Sequence, residues 1–269
     1  PVVYLASATA ENLSNSGSLL AAAQIDIQGD TLSNNGGSIA ASKDLNLRFA
    51  ESIDNSGGTL TTDGRLTIDA GTLFNNDYGN VQGGTVQVAA LGDITNSRGQ
   101  IVGLQQVLLS SEAGDIRASG GRVSGGEIVL SARDVVLGSA ISSLGSEGGA
   151  YYNERIAEMS EISATGSLSV IAQRDMTLTG VNIRAAESIN LAAEQNIALN
   201  AQALDSERRF GSGRNTDLFL ATTNHTTKMS AGEGLNVTAL GDITSQGSAL
   251  SADGKLGMTA GGNILLTSV

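Results

Sequence analysis

The chain has 269 residues, of which 3% are aromatic, and it contains no cysteine and no tryptophan. These counts exclude a disulfide framework and a thiolate metal site, and they leave Leu, Ile, Val and Ala to build the core. The formal net charge of −12 argues against a nucleic-acid partner, because no basic stripe is present to neutralise phosphates.

Apolar residues recur through most of the chain with a period of about 20 residues. Each period holds three apolar positions. The third is occupied by Ile25, Leu45, Leu66, Val86, Val107, Ile128, Leu168, Ile189, Leu235 and Leu256. The first is assigned to Leu13, Leu32, Ile53, Leu73, Ile94, Ile116 and Val136, and the second to Leu19, Ile39, Leu60, Val81, Ile101 and Val123.

Polar and apolar residues alternate around each of these positions, as at 24–27, and Asn-Gly or Ser-Gly turns separate the runs. Alternation with a period of two is typical of a half-buried strand. Because one strand cannot bury its apolar face alone, the repeat predicts an all-β solenoid: a parallel β-helix of about ten coils. A leucine-rich repeat would need a helical segment in each period, and a β-propeller would need blades of about forty residues.

An asparagine follows the first apolar position of each early coil by two residues: Asn15, Asn34, Asn55, Asn75 and Asn96. Stacked coils would align these amides, so we expect a ladder of side-chain hydrogen bonds at a bend.

Asp93, Asp115 and Asp134 also recur at one position. A glycosidase needs a carboxyl pair, but each of these residues stands where a turn favours Asp, and no Arg, Lys or His stack completes a site. The sequence therefore predicts no enzyme activity.

Two segments interrupt the repeat, at 144–161 and 205–228. They divide the coils into 1–143, 162–204 and 229–269. Each segment departs from the repeat between the first and second apolar positions of a coil. We therefore expect both segments to emerge on one side of the rod, two coils apart. They are predicted to form extrahelical strands.

The interruptions carry four of the eight aromatic residues, together with the single histidine, His225. Two interpretations are open: a protruding recognition surface, or strands that pair with each other and cover the rod. The second is favoured, because Leu218 and Phe219 would otherwise be exposed.

Glu154, Glu158 and Glu161 are expected to face Arg208, Arg209 and Arg214. The candidate interaction residues are Tyr151, Tyr152, Arg208, Arg209, Phe210, Arg214 and Phe219. His225 has no companion ligand, and no cofactor or metal is predicted.

Several motifs resemble the haemagglutinin repeats of two-partner-secreted exoproteins, which include filamentous haemagglutinins and the contact-dependent growth inhibition family. Leu-Ser-Asn-Asn-Gly-Gly-Ser-Ile at 32–39 and Ile-Asp-Asn-Ser-Gly-Gly-Thr-Leu at 53–60 resemble the earlier repeat type. Gly-Asp-Ile-Thr at 241–244 and Gly-Gly-Asn-Ile at 261–264 resemble the later type.

The resemblance implies a right-handed β-helix that an outer-membrane transporter partner exports to the bacterial cell surface. It further implies a structural, non-catalytic shaft segment of a large secreted filament, used for adhesion or for contact-dependent delivery of a C-terminal toxin. A host or neighbouring-cell surface is the expected contact. The alternative is a carbohydrate-binding or polysaccharide-cleaving β-helix. The repeat is already running at Leu13 and still running at Ile264, so we expect an internal piece of a longer protein.

Overall fold

The computed structural model describes residues 17–145, 150–212 and 215–269. All regular elements within these ranges are strands, and they belong to two separate sheets. One sheet contains 23 strands and winds into a parallel solenoid of about 11 turns, whereas the other contains four antiparallel strands. The prediction of an all-β parallel β-helix is thereby confirmed. In the described ranges no helix is long and apolar enough to cross a membrane.

Most of the strands are short, with only a few residues between one and the next. In chain order, the first thirteen are β1 (Leu19–Ser33), β2 (Ser38–Asp54), β3 (Thr59–Thr62), β4 (Arg65–Ala70), β5 (Leu73–Asn75), β6 (Asn80–Ala90), β7 (Asp93–Thr95), β8 (Gln100–Ser111), β9 (Ile116–Ser119), β10 (Arg122–Ala132), β11 (Val135–Gly138), β12 (Ala140–Gly145) and β13 (Tyr151–Glu158). The remaining strands are β14 (Glu161–Ala164), β15 (Leu168–Ala172), β16 (Met176–Thr179), β17 (Asn182–Ala185), β18 (Ile189–Ala193), β19 (Ile197–Asn200), β20 (Gln202–Ser212), β21 (Asn215–His225), β22 (Thr227–Ala231), β23 (Leu235–Ala239), β24 (Ile243–Gln246), β25 (Ser248–Ala252), β26 (Leu256–Ala260) and β27 (Ile264–Thr267).

The residues predicted at the third apolar position form one unbroken column from β1 to β26. Each pairs in parallel register with its counterpart in the next coil, beginning with Ile25 opposite Leu45 and ending with Leu235 opposite Leu256. Leu45 and Leu66 are fully buried. Burial of such a side chain stabilises the fold by roughly 1.5–3 kcal/mol, so the aliphatic column is a main source of the rod's cohesion.

The first apolar position differs from the prediction in the coil of β5. Phe74, not Leu73, pairs with Ile53 and Ile94 and is fully buried, whereas 36% of Leu73 is exposed. Two adjacent apolar residues cannot both face the core of a strand, because successive side chains point to opposite faces. The aromatic residue of the pair lies inside. Leu13 lies outside the described residues.

Adjacent apolar residues cause the same one-residue error elsewhere. Val135 is fully buried at the position assigned to Val136, which is only half-buried. Near the start of β1, Leu20 lies opposite Ile39, where Leu19 was predicted.

One corner of the rod repeats a left-handed backbone conformation in consecutive coils. Gly36, Gly57 and Gly120 adopt φ values of 66°, 62° and 72° there. Between them, Tyr78 (φ 55°) and Arg98 (φ 53°) occupy the same place, although a side chain disfavours this region. The Arg98 guanidinium lies 5.4 Å from the centroid of the Tyr78 ring, which gives a cation–π contact on the outside of the corner.

The four-stranded sheet lies outside the solenoid. Its order is β12-β13-β20-β21, all neighbours are antiparallel, and no backbone ladder among the described residues joins it to the rod. Strands from both interruptions thus pair with each other. They begin earlier than predicted, at Ala140 and Gln202, because the chain leaves the solenoid immediately after β11 and β19.

Candidate interaction surface

Buried hydroxyl groups hold the first interruption at the points where it leaves and rejoins the rod. Ser139 follows β11, and its Oγ donates to the carbonyl oxygen of Gly180 at 2.6 Å. Ser160 precedes β14, and its Oγ donates to the carbonyl oxygen of Gly138 at 2.6 Å. The N–H of Ser160 in turn donates to Ser139 Oγ at 3.3 Å. The Ser139 hydroxyl thus satisfies the carbonyl of Gly180 and the N–H of Ser160, whereas the carbonyl of Gly138 also accepts the N–H of Gly120 at 2.9 Å.

Thr227 performs the same task for the second interruption. Its fully buried hydroxyl donates to the carbonyl oxygen of Asn200 at 2.6 Å and accepts the N–H of Val181 at 3.3 Å. Both interruptions therefore start and end at fixed points of the rod.

The register of the extrahelical sheet places an aromatic–arginine row on one face. Tyr151 lies opposite Arg208, which in turn lies opposite Phe219. The Arg208 guanidinium is 5.8 Å from the centroid of the Tyr151 ring. Phe219 is 58% exposed, and Phe210, two residues along β20 from Arg208, is 57% exposed. Four of the predicted interaction residues therefore lie on one exposed face.

The opposite face carries a polar groove of about 480 Å³, lined in part by Tyr152 and Glu207. The Tyr152 hydroxyl donates to Glu154 Oε1 at 2.7 Å, and Glu154 Oε2 accepts the N–H of Asp205 at 2.9 Å. Arg209 Nε donates to Glu207 Oε1 at 2.6 Å within β20. Tyr152 and Arg209 thus lie on the other face from Phe219.

The predicted pairing of Glu154 and Glu158 with Arg208 and Arg209 is wrong. Among the described residues, Glu154 and Glu158 form no ion pair with Arg208 or Arg209. Glu161 belongs to β14 of the solenoid instead. Arg214 lies outside the described residues. The antiparallel register is the reason, because it places Arg208 beside Tyr151 and directs Glu154 to the backbone of Asp205.

The expectation that the interruptions cover the rod is also wrong. Leu218 is 53% exposed and Leu220 is 66% exposed, like their neighbour Phe219. The strands pair with one another and leave these three apolar side chains largely in solvent, on both faces of the sheet. Since a monomer rarely exposes a contiguous apolar patch without a role, this sheet is the candidate interaction surface. Its binding role stays a prediction.

His225 lies at the end of β21, opposite Gln202. Burial, together with the positive charge of Lys228, lowers the pKa of His225 below its ordinary value of 6.5. The neutral imidazole is therefore favoured near pH 7. No group of three or more His, Cys, Asp or Glu residues in the described ranges is arranged to hold a metal ion.

On the rod, asparagine amides form a coil-to-coil ladder. Asn34 Nδ2 donates to Asn55 Oδ1 at 2.7 Å, and Asn55 Nδ2 donates to Asn76 Oδ1 at 2.7 Å. Asn76 Nδ2 continues the series to Asn96 Oδ1 at 2.8 Å. All four side chains are buried, so the ladder satisfies amides that lie out of reach of water.

The ladder contains Asn76 where Asn75 was predicted. Because Phe74 faces the core in place of Leu73, the following positions shift by one residue as well. Asn75 is half-buried on the outer side, and its Nδ2 donates to Asp54 Oδ1 at 3.0 Å and Ser56 Oγ at 2.9 Å. Asn15 lies outside the described residues.

A second ladder, which the sequence indicated only as turn residues, runs along another corner. A side-chain oxygen in one coil accepts the backbone N–H of the corresponding residue in the next. Asp93 Oδ1 accepts the N–H of Asp115 at 2.8 Å, and Asp134 Oδ1 accepts the N–H of Asp175 at 3.1 Å. The pattern continues through Asp175, Asn196, Asp242 and Asn263.

Arginines lie beside these carboxylates, so the prediction that no Arg stack is present is wrong. Asp115 is 1% exposed and forms ion pairs with Arg117 and, at 2.9 Å, with Arg133. Hydrogen bonding from Arg174 lowers the pKa of Asp134. A carboxyl group held in the ionised form is poorly suited to protonate a leaving group, as a glycosidase acid must. The arginines therefore give this corner a structural role.

Two repeat-family models match the chain. The model described as "Haemagglutinin repeat" matches residues 5–57, 42–98 and 100–150. The model described as "Hemagglutinin repeat" matches residues 141–217 and 210–269. The chain belongs to the haemagglutinin-repeat family. The two types of haemagglutinin repeat meet at 141–150, where β12 starts the extrahelical sheet.

These haemagglutinin repeats are also similar to part of a curated relative. They are 29% identical over 230 residues to the tRNA nuclease CdiA of Escherichia coli (strain STEC_O31). The match covers 83% of this chain but 6% of the relative, so the chain spans a small part of that protein's length. No solved structure matches the repeats significantly.

Proposed function

We propose that the chain is a structural, non-catalytic shaft segment of a large secreted filament at the bacterial cell surface. The filament serves adhesion or contact-dependent delivery of a C-terminal toxin. The supporting observation is the continuous parallel register of the solenoid, which keeps one aliphatic column from β1 to β26. With rungs about 4.8 Å apart, ten such coils extend roughly 50 Å.

The composition is compatible with export in an unfolded state. The chain has no cysteine, so no crosslink can form on the way through a transporter. Membership of the haemagglutinin-repeat family supports an outer-membrane transporter as the export partner. The relative is named a tRNA nuclease, and the match covers 6% of it, which is compatible with repeats that carry an activity located elsewhere. A host or neighbouring cell would be the contact, and no nucleic acid is expected to bind the shaft.

The alternative, a carbohydrate-binding or polysaccharide-cleaving β-helix, receives less support. Its best carboxylates, Asp115 and Asp134, are held by arginines and by the turn ladder. A purified chain should therefore release no reducing ends from bacterial or host polysaccharides. Release that Asp115→Asn abolishes, in a protein that stays folded, would favour the enzyme.

The shaft proposal is tested in the full-length secreted protein. Residues 38–138, which precede the extrahelical sheet, are replaced by the same number of coils from another haemagglutinin-repeat protein. Surface display, measured with antibodies on intact cells, and adhesion or toxin delivery should both persist, because the coils serve only as a spacer. Leu66→Asp in the original segment should instead abolish display. Normal display with lost adhesion and toxin delivery after the exchange would contradict the proposal.

A further inference from the structure

The last strand of the extrahelical sheet has one unpaired edge. β21 is an 11-residue strand, and within the described part of the chain it pairs only with β20. Sheet edges are normally protected by Lys or Pro, by a bulge, or by a short strand. β21 contains no Lys, Arg or Pro, and its pairing with β20 shows no register shift. This edge is therefore open to another strand.

The centre of β21 exposes apolar groups on both faces. Phe219 lies on the face of Arg208 and Tyr151, whereas Leu218 and Leu220 project from the opposite face. More than half of each of these three apolar side chains is exposed. A strand added along this edge would shelter both faces at once.

We propose that β21 pairs antiparallel with β21 of a second copy of this chain, with Phe219 opposite Phe219 across a two-fold axis. In this register Leu218 lies opposite Leu220, so apolar residues face apolar residues on both sides of the joined sheets. The interface is isologous, as in most homodimers.

The charges of β21 permit this pairing. Asp217 is the only acidic residue of the strand, and in the proposed register it lies opposite Ala221 of the other copy. No two like charges are therefore opposed, although the chain as a whole carries −12. Arg208, beside Phe219, places a positive charge on the same face as the joined apolar row.

A cysteine scan reads the register directly, because the chain has no cysteine of its own. Directly opposed residues in an antiparallel pair have Cβ atoms about 4.5–5.5 Å apart, close to the range that a disulfide spans. Phe219→Cys should therefore form a disulfide-linked dimer under mild oxidation. Leu218→Cys or Leu220→Cys alone should not, but a mixture of the two should. Crosslinking of Leu218→Cys with itself, or none by Phe219→Cys, would overturn the register.

The oligomeric state tests the dimer itself. Sedimentation equilibrium of the full chain should give a mass twice its 27.2 kDa at high concentration. Phe219→Lys, which opposes two cations, should weaken dimerisation at least about tenfold. Leu144→Lys is the matched control, since Leu144 is 59% exposed on β12 at the other edge of the sheet, and it should leave the dimer intact.

Two results would overturn the proposal. The first is a monomer at every concentration. The second is a dimer that Phe219→Lys leaves unchanged. If the monomer instead sediments with phosphatidylethanolamine–phosphatidylglycerol vesicles, and Phe219→Asp abolishes this binding, the patch contacts membranes and not a second copy. These measurements on the purified chain do not depend on the shaft function.

Discussion

Replacing Asn55 with Ala should break the asparagine ladder at its centre. Asn55 is fully buried, accepts a hydrogen bond from Asn34 and donates one to Asn76. Two hydrogen bonds with a net value of about 1 kcal/mol each would be lost. The buried Oδ1 of Asn76 would also lose its donor, at a further cost of about 1–3 kcal/mol. The carbonyl of Gly58 keeps a partner, because it also accepts the N–H of Asn80 at 2.8 Å. The expected loss of stability is about 3–5 kcal/mol.

Guanidinium unfolding of Asn55→Ala and the parent chain measures this loss, and native-state hydrogen exchange locates it. Protection should fall first in β3 and β6, which flank the ladder. Asn46→Ala is the matched control. Asn46 also bonds from coil to coil, donating to Asp26 Oδ1 at 2.8 Å, but it lies on the outer side, where water can replace the bond. Its loss should stay below about 1 kcal/mol. Equal losses for the two variants would refute the ladder argument.

The remaining predictions concern the core, a corner and the extrahelical sheet. Leu66→Asp should destabilise the rod by at least about 5 kcal/mol, because it loses apolar contacts and buries a charge. Thr67→Asp, one residue along the strand, should cost less than about 1 kcal/mol. Similar melting temperatures for the two variants would contradict the assignment of Leu66 to the inward face. Tyr78→Gly should stabilise the corner by roughly 0.5–1 kcal/mol, because glycine adopts the left-handed backbone without strain. Tyr78→Ala should destabilise the corner, because it keeps the strain and loses the cation–π contact with Arg98. Denaturant titrations measure both changes, and changes of the same sign would disprove strain. Because burial lowers the pKa of His225, the unfolded chain binds more protons, and stability should decline as pH falls through 6.5. His225→Gln should remove this part of the pH dependence, and an unchanged profile would show that His225 is not its source.

The period of the solenoid could be predicted because, in most coils, the residue at the third apolar position has polar or glycine neighbours on either side. Leu45 lies between Asp44 and Asn46, and alternation then fixes which side chain enters the core. At Leu73 and Phe74 two apolar residues are adjacent, and either fits the pattern. The choice depends on how the chain turns the preceding corner, which local alternation does not encode.

The extrahelical sheet was harder to predict for a different reason. Its existence follows from the length of the two interruptions, but its register depends on pairing between strands distant in sequence. Opposite charges at 154–161 and 208–209 suggested a pairing that the antiparallel register does not make. Exposed ion pairs contribute only about 0–1 kcal/mol, so they cannot outweigh backbone pairing in setting that register.

Every bond of the asparagine ladder points the same way along the chain. Asn34 donates to Asn55, Asn55 to Asn76 and Asn76 to Asn96. A coil that has just formed therefore presents an amide N–H donor to whichever coil follows it, and aligned amide dipoles strengthen one another. The ladder therefore favours folding from the amino end. A chain that emerges amino end first could fold one coil at a time, with each new coil accepting a hydrogen bond from the asparagine of the coil before it.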